Sequence, residues 1–359
     1  MNTKTGFSTY SKKIKQKIIN IGAKGGPDWI TLSHGSGGRL SHSLIRDLFL
    51  KELGNPVLNE LGDSALINYR EPLAFTTDSF VVSPLSFSGA DIGRLAVCGT
   101  VNDLVMQGAQ PQYLSLAFII EEGLDYRALE RVVRSVSLEA RRAGVLVATG
   151  DTKVVERGAC DKLFINTSGI GRIIRKRRLS LGNIRCGDRI IVTSDIGRHG
   201  LAVLAKRKEL DLGFNIKSDC NCLNGLIVPL LQKTGGIRFM RDPTRGGLAG
   251  TLNEIAEGSH SAVIVEEKNI PVSAKVRAAG ELLGIDPLYI ANEGAAVIVV
   301  EKESAKKVLS HLKKHPLGRR AKIIGAVSAA RRAQVILNTA IGTQRIMDML
   351  TADPLPRIC

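Results

Sequence analysis

The chain has 359 residues, 44% hydrophobic and 23% charged, which is typical of a globular protein of about two domains. It contains no apolar run long enough to span a bilayer and no secretory signal, and its six scattered cysteines do not form a disulfide framework. These features predict a cytoplasmic protein that does not bind a membrane.

The net charge of +16 and the pI near 9.8 raise the question of nucleic-acid binding. Aromatic residues make up only 4% of the chain, and they do not alternate with basic residues as on a base-stacking surface. The densest basic cluster, RIIRKRR at 172–178, falls in a predicted linker between domains. Solvated surface charge is the favoured interpretation, and attraction to a nucleotide or an acidic partner protein is compatible with it. No nucleic-acid partner is predicted.

Residues 1–27 contain many lysines and little periodicity, which predicts a basic mobile extension. A glycine-rich turn, HGSGGR at 34–39, follows and precedes an amphipathic stretch. Backbone N–H groups in such turns can bind phosphates, so Gly37 and Gly38 are candidate nucleotide contacts. The spacing matches neither a P-loop nor a dinucleotide fingerprint.

The first half of the chain carries four aspartates at the ends of predicted elements. The predicted strands cover 74–80, 113–120, 145–149 and 163–170, and the predicted helices cover 90–107 and 127–142. Each aspartate taken singly suits a cap or a turn. Mg²⁺ prefers carboxylate and phosphate oxygens, however, so the four together favour a Mg–ATP site. They are Asp63, Asp78, Asp103 and Asp151.

A GDTK stretch at 150–153 runs on from the apolar strand at 145–149. It combines an acid, Asp151, with a lysine, Lys153, at what the pattern predicts to be a sheet edge. A lysine beside the carboxylates strengthens the prediction of a nucleotide site in the first domain.

The second half is predicted to form strands at 189–194, 295–300 and 323–327, and helices at 199–208, 225–232, 248–257, 274–284 and 302–311. RDPTRGG at 241–247 precedes a helix, which suits either a cap or an anion site containing Arg245. Glu293 precedes an apolar strand, where partial desolvation would raise its pKa and make it a better base. The pair Cys220 and Cys222 has no further ligand pair nearby, which does not favour zinc.

The sequence ends in PLPRIC, with a cysteine, Cys359, as its final residue. Two prolines keep this stretch extended, and a terminal thiol can move where a core cysteine cannot. A terminus that ends in cysteine without a role is the alternative. A prenylation box is excluded because it requires cysteine four residues from the end.

These motifs, in this order, resemble the HypE family of hydrogenase maturation factors: HGSGG, GDSAL, TTDS, GTVND, GDTKVV, DPTRGG, ANEG and terminal PRIC. The resemblance runs from about residue 30 to the end. It implies a PurM-like α/β (α+β) fold of two domains, 28–171 and 172–338, with a flexible tail at 339–359. The first domain would form a homodimer through its strands.

The resemblance also implies a chemistry. A carbamoyl group from the carbamoyltransferase HypF would be carried on Cys359 and dehydrated, with ATP, to a thiocyanate destined for a HypC–HypD complex. Mg²⁺ would bind the four aspartates, and the nucleotide would also contact Asn102, Thr152 and Arg245 along with the glycine turn. Glu293 would act as base, and Lys153 would hold the polarised oxygen or relay a proton.

Two alternatives belong to other classes. A small-molecule kinase or synthetase of the same superfamily, such as a thiamine-phosphate kinase or selenophosphate synthetase, would share the aspartates without needing Cys359. A non-enzymatic scaffold that presents a thiol would have no reason to retain Lys153 and Glu293 beside an ATP site.

Overall fold

The computed structural model describes residues 29–35, 39–60, 70–174, 178–208, 210, 212–329, 332–350, 355, 357 and 358. Gly37, Gly38, Asp63 and Cys359 therefore lie outside the described residues, as does the N-terminal extension. Among the described residues, no helix is both long and apolar enough to cross a membrane.

The first sheet has four strands in the order β1–β6–β4–β5, with β4 and β5 parallel and the other neighbours antiparallel. Two helices cover one of its faces. On the other face, Phe75 is 70% exposed among the residues that the structure describes. The strands are β1 Leu73–Phe80, β4 Ala109–Glu121, β5 Leu146–Val155 and β6 Leu163–Ile173, and a separate small hairpin is formed by β2 Ser86–Phe87 and β3 Ala90–Asp91.

The second sheet has seven strands in the order β13–β12–β9–β11–β7–β10–β8. Its inner strand β10 is the apolar run VIVV, buried on both faces, as expected where helices flank a sheet. The strands are β7 Arg189–Val192, β8 Ile237–Arg241, β9 Ala262–Glu266, β10 Val297–Val300, β11 Lys322–Ser328, β12 Gln334–Asn338 and β13 Gln344–Ile346.

The helices follow apolar spacing and capping chemistry. In α4, apolar side chains three and four residues apart face the core, Asp125 caps the first turn, and Gly144 ends the helix in the left-handed conformation. The helices are α1 Arg39–Leu44, continued by a π-helical turn Ile45–Leu50, α2 Lys51–Leu53, α3 Ile92–Met106, α4 Tyr126–Ala143, α5 Arg198–Arg207, α6 Asn224–Lys233, α7 Gly247–Ser259, α8 Ala274–Leu283 and α9 Ala305–Lys313.

Short 3-10 turns connect several of these elements. They are Leu32–Gly35, Leu58–Glu60, Leu181–Asn183, Glu267–Asn269, Pro287–Tyr289 and Pro316–Gly318.

A buried asparagine joins the two halves of the chain. Asn102 of α3 donates from Nδ2 to the carbonyl oxygens of Asn221, at 3.1 Å, and Glu293, at 3.3 Å. Its Oδ1 accepts from the backbone N–H of Leu223 at 2.8 Å. We call residues 218–223 the junction loop. Because Asn102 satisfies three backbone groups of the second half, it holds this loop against α3.

Three sequence predictions need correction. The GDTK stretch lies inside β5, since the strand continues to Val155. Strands β8, β9 and β12 were not predicted from the sequence. The tail predicted to begin at 339 contains β13, and Met347, Leu355 and Ile358 are buried.

We expect Asn102→Ala to lower the free energy of unfolding by about 2–4 kcal/mol, because it leaves buried backbone groups without partners. Chemical denaturation followed by circular dichroism measures this. Asn338→Ala is the matched control, because Asn338 bonds other side chains at a partly buried site and should cost less than about 1 kcal/mol. Equal losses in the two variants would contradict the role given to Asn102.

Candidate active site

Two of the predicted aspartates meet where β1 and α3 pack together. Thr76 and Asp78 are two residues apart on β1, so their side chains share the helix-covered face of the sheet. Thr76 Oγ1 donates a hydrogen bond of 2.8 Å to Asp103 Oδ2 in the last turn of α3. Burial, and secondarily the negative charge of Asp103, raise the pKa of Asp78. Burial also raises the pKa of Asp103, against the Thr76 hydrogen bond.

A third carboxylate, Asp242, approaches these two from the end of β8. Burial and the charge of Asp103 raise the pKa of Asp242 to about 7. Arginines of the same RDPTRGG motif offset part of this repulsion: Arg241 acts on Asp103 and Asp242, and Arg245 acts on Asp78. We call Asp78, Asp103 and Asp242 the acidic cluster.

Glu293 lies beside the acidic cluster, and the residue is 3% exposed. Burial raises its pKa well above the usual range, and the neighbouring carboxylates Asp242 and Asp219 raise it further. The sequence predicted this direction from partial desolvation. A carboxyl group with a raised pKa binds protons more tightly and is a stronger base once ionised.

The backbone at Glu293 is fixed by Asp219 of the junction loop. The Asp219 carboxylate accepts hydrogen bonds from the backbone N–H groups of Glu293, at 3.3 Å, and Gly294, at 3.1 Å. A Cβ atom on Gly294 would lie only 1.8 Å from the Asp219 carbonyl oxygen. The glycine of the ANEG motif is therefore required by the close approach of the junction loop.

The end of the chain docks beside the same loop. Ile358 is 3% exposed, and its carbonyl oxygen lies 2.9 Å from His199 Nε2. His199 Nδ1 lies 2.9 Å from Ser218 Oγ, at the start of the junction loop. Burial lowers the pKa of His199 to about 4, so the ring is neutral, with Nε2 donating to Ile358 and Nδ1 accepting from Ser218.

Arg357 fastens the tail to the first domain. Its guanidinium donates to the Val81 carbonyl at 3.0 Å and pairs with Asp161 at 3.0 Å. Its own carbonyl oxygen accepts from Arg207. The tail therefore contacts both domains through the two residues that precede the terminal cysteine.

The GDTK residues lie elsewhere. Asp151 and Lys153 are 61% and 66% exposed and 3.5 Å apart, on β5. In the sheet, Asp78 is level with Thr167 of β6, which is level with Leu116 of β4 and Gly150 of β5. Three strand spacings, roughly 14 Å, thus separate Asp78 from this end of β5.

One chain therefore brings Asp78, Asp103, Asn102, Arg245 and Glu293 to one region, and it does not bring Asp151, Thr152 and Lys153 there. The amide of Asn102 is fully occupied by backbone contacts to the junction loop and Glu293. Sequence reasoning missed several residues of this region. Asp242 stands in a motif that the sequence displays, whereas no local signal marks Asp219 or His199.

Comparisons with known proteins show the family to which the chain belongs. The family described as AIR synthase related protein, N-terminal domain, matches residues 61–173, and the corresponding C-terminal domain family matches residues 185–338. "Carbamoyl dehydratase HypE" of Rhodobacter capsulatus is 45% identical over 92% of this chain and 98% of its own. The chain belongs to the HypE family.

Two solved structures extend the comparison. "Hydrogenase Maturation Protein HypE in complex with ATP" is 49% identical, with a TM-score of 0.89 over 92% of this chain and 99% of that one. The HypE chain of a HypE–HypF complex is 44% identical, with a TM-score of 0.75 over 86% of this chain and 100% of that one. The predictions of a PurM-like two-domain fold and of an enzyme are confirmed.

The acidic cluster predicts a pH dependence of stability. Asp242 has a folded pKa of about 7, above its usual value of about 3.9. The folded state therefore binds more protons between pH 4 and 7, and the free energy of unfolding falls as the pH rises through this window. We expect Asp242→Asn to reduce this fall by roughly 2 kcal/mol or more.

Urea titrations of both proteins at pH 4.5 and 7.5 measure the difference. Asp348→Asn, at an exposed position, is the control and should follow the wild type. An unchanged pH slope in Asp242→Asn would contradict a strained carboxyl at this site.

Proposed function

We propose that this chain uses ATP to dehydrate a carbamoyl group carried on Cys359, giving a thiocyanate that supplies cyanide for a nickel–iron hydrogenase. The names of its relatives support the carbamoyl dehydratase activity, and the ATP-bound relative supports the use of ATP. The observation that carries the proposal is the docked tail, with Ile358 buried and held through His199 and Ser218.

This docking bears on the chemistry because hydroxide is a poor leaving group. Phosphorylation of the carboxamide oxygen by ATP would convert it into phosphate, a far better one. Loss of two N–H protons and of phosphate then leaves the nitrile, with ADP as the other product. The activated carboxamide hydrolyses readily, so it needs a site that excludes water. A tail that buries Ile358 beside the junction loop suits that need.

The acidic cluster fits a divalent cation. Asp78, Asp103 and Asp242 are partly buried, and burial raises the pKa of each. Like charge raises the pKa of Asp78 and Asp242 further, and oxygen donors are the ligands that Mg²⁺ prefers. When bound, Mg²⁺ would neutralise charge during phosphoryl transfer. Arg241 and Arg245, which lie near the acidic cluster, would face the phosphates. Asp63 and the glycine turn stay predictions.

Glu293 suits the role of base. It is buried beside the junction loop, its raised pKa makes its carboxylate strongly basic, and its backbone is fixed at both ends by Asn102 and Asp219. A base whose position is fixed loses little entropy when it acts. Glu293 would take the N–H protons of the carboxamide.

The place of Asp151 and Lys153 favours a homodimer. Both side chains stand exposed on β5, at the edge of the sheet opposite to β1 and Asp78. The sheet also has an open face that exposes Phe75 and Ile119. A second copy packed against this sheet would cover the apolar side chains and could bring its own Asp151 and Lys153 to the acidic cluster. Each site would then be shared.

Partners follow from the same chemistry. The solved HypE–HypF complex supports HypF as the source of the carbamoyl group. A HypC–HypD complex as the acceptor of cyanide, and a homodimer, are proposals from the family resemblance.

The test of the function is intact mass after incubation with HypF, carbamoyl phosphate and ATP. We expect wild type to gain about 43 and then retain about 25 mass units, the formula sums for carbamoyl and nitrile groups on a thiolate. Cys359→Ala should gain neither. Glu293→Gln should gain the first and form the second at least a hundredfold more slowly, with unchanged ATP affinity.

Two results would count against the proposal. Modification of Cys359→Ala would assign the acceptor role to another thiol. ATP turnover with a small phosphate acceptor that survives Cys359→Ala would favour the kinase alternative.

A mixing experiment tests the shared site. Asp78→Asn and Asp151→Asn should each abolish activity alone. When the two are mixed and allowed to exchange subunits, half the dimers are mixed and each has one unaltered site, so about a quarter of wild-type activity should return. Sites complete within one chain would give no recovery. A matched mixture of Asp78→Asn and Asp103→Asn, both from the acidic cluster, should stay inactive.

A further inference from the structure

Cys98 meets two cysteines that are distant from it in sequence at the contact between the domains. Cys98 lies on α3, and Cys220 and Cys222 lie on the junction loop. Cys98 Sγ and Cys222 Sγ are 3.4 Å apart. Cys98 is fully buried, whereas Cys222 is partly exposed. The sequence displayed the Cys220–Cys222 pair without indicating its partner.

Charged groups surround this thiol cluster and favour ionisation of one member. Arg94 stands one helical turn before Cys98, and its Nε lies 3.5 Å from Glu139 Oε2. Burial opposes ionisation of Cys98, but hydrogen bonds from Cys220 and Cys222 and the charge of Arg94 outweigh it, so the pKa of Cys98 lies well below its usual range. Cys222 has a raised pKa because of the neighbouring Cys98 and burial. The cluster therefore pairs a thiolate with a thiol.

A metal ion is the other occupant that such side chains could hold. The ligand atoms of Cys98, Cys222 and Glu139 lie within 4.8 Å of one another. However, Glu139 is already paired with two guanidinium groups, Arg94 at 3.5 Å and Arg142 at 3.4 Å. A cation at this place would meet the Arg94 charge directly, which disfavours metal binding.

We propose that Cys98 and Cys222 form a reversible disulfide that joins α3 to the junction loop. The sulfurs need to approach by about 1.4 Å to reach the bond length of about 2.05 Å. That movement is small for two side chains of which one lies on a loop. The bond would add a covalent link one turn from the anchor that Asn102 already provides.

The oxidant is a low-molecular-weight disulfide. Cys222, which is partly exposed, first gives its proton to the neighbouring Cys98 thiolate. The Cys222 thiolate then attacks the small disulfide, forms a mixed disulfide and releases one small thiolate, which takes the proton from Cys98. The Cys98 thiolate then attacks the Cys222 sulfur and expels the second small thiolate, which takes a proton from solvent. Two protein thiols are oxidised and one small disulfide is reduced to two thiols, so atoms and electrons balance.

The test treats the full-length protein with 2-hydroxyethyl disulfide and then digests it with trypsin without reduction. We expect peptide 95–127 to be linked to peptide 218–233, with a mass about two units below their sum. The link should disappear in Cys222→Ser and persist in Cys220→Ser. Cys186→Ser, which removes an exposed cysteine, is the matched control and should not change it.

A second readout separates a specific bond from incidental oxidation. A disulfide that closes the long loop between Cys98 and Cys222 should raise Tm by about 5 °C, and dithiothreitol should reverse the rise. Three outcomes would overturn the proposal. They are a mixed disulfide at Cys222 without the link, a link that survives Cys222→Ser, and one Zn²⁺ per chain retained through gel filtration that blocks oxidation in wild type.

Discussion

The boundary between the two domains is organised by carboxylates that are partly or fully buried, several of which repel one another. Asp78 and Asp103 come from the first sheet and its helix, whereas Asp242, Asp219 and Glu293 come from the second half. Each has a raised pKa because burial leaves its charge poorly solvated. Such a group of acids is costly in a folded protein unless a ligand relieves the repulsion. The free energy that opposes this arrangement would favour binding of a cation.

The junction loop makes that arrangement tolerable, because its side chains bind partners on both sides of the boundary. Asp219 fixes the backbone of Glu293, Asn221 accepts from Arg94 at 2.6 Å, and Ser218 supports His199. Asn102 holds the loop from the other side. A loop with so many buried polar contacts is rigid only while all of them are satisfied. Glu293, the tail and the thiol cluster therefore share one support.

Local sequence signals predicted local structure well. The helix predicted at 127–142 spans Tyr126–Ala143, because apolar spacing and capping residues are properties of the segment itself. Strands β8, β9 and β12 depend on pairing with neighbouring strands, which their own segments do not reveal. The grouping of Asp78 with Asp103 agrees with prediction, and the separation of Asp151 does not follow from sequence, because strand order is a long-range property. Asp219, His199 and Cys98 acquire their surroundings only through the fold.

Docking of the tail accounts for the number of contacts made at the junction loop. A cysteine at the end of a chain can enter a narrow site with one backbone segment behind it, whereas an internal cysteine would bring two segments into the site. A single strand is also easily lost to solvent, so it needs fixed contacts close to the reacting end. Ile358 provides apolar burial and a carbonyl for His199, and Arg357 contacts the first domain. These contacts belong to the backbone and to the residues that precede Cys359. Because His199 is neutral, the hold on the tail adds no charge to a region already crowded with carboxylates.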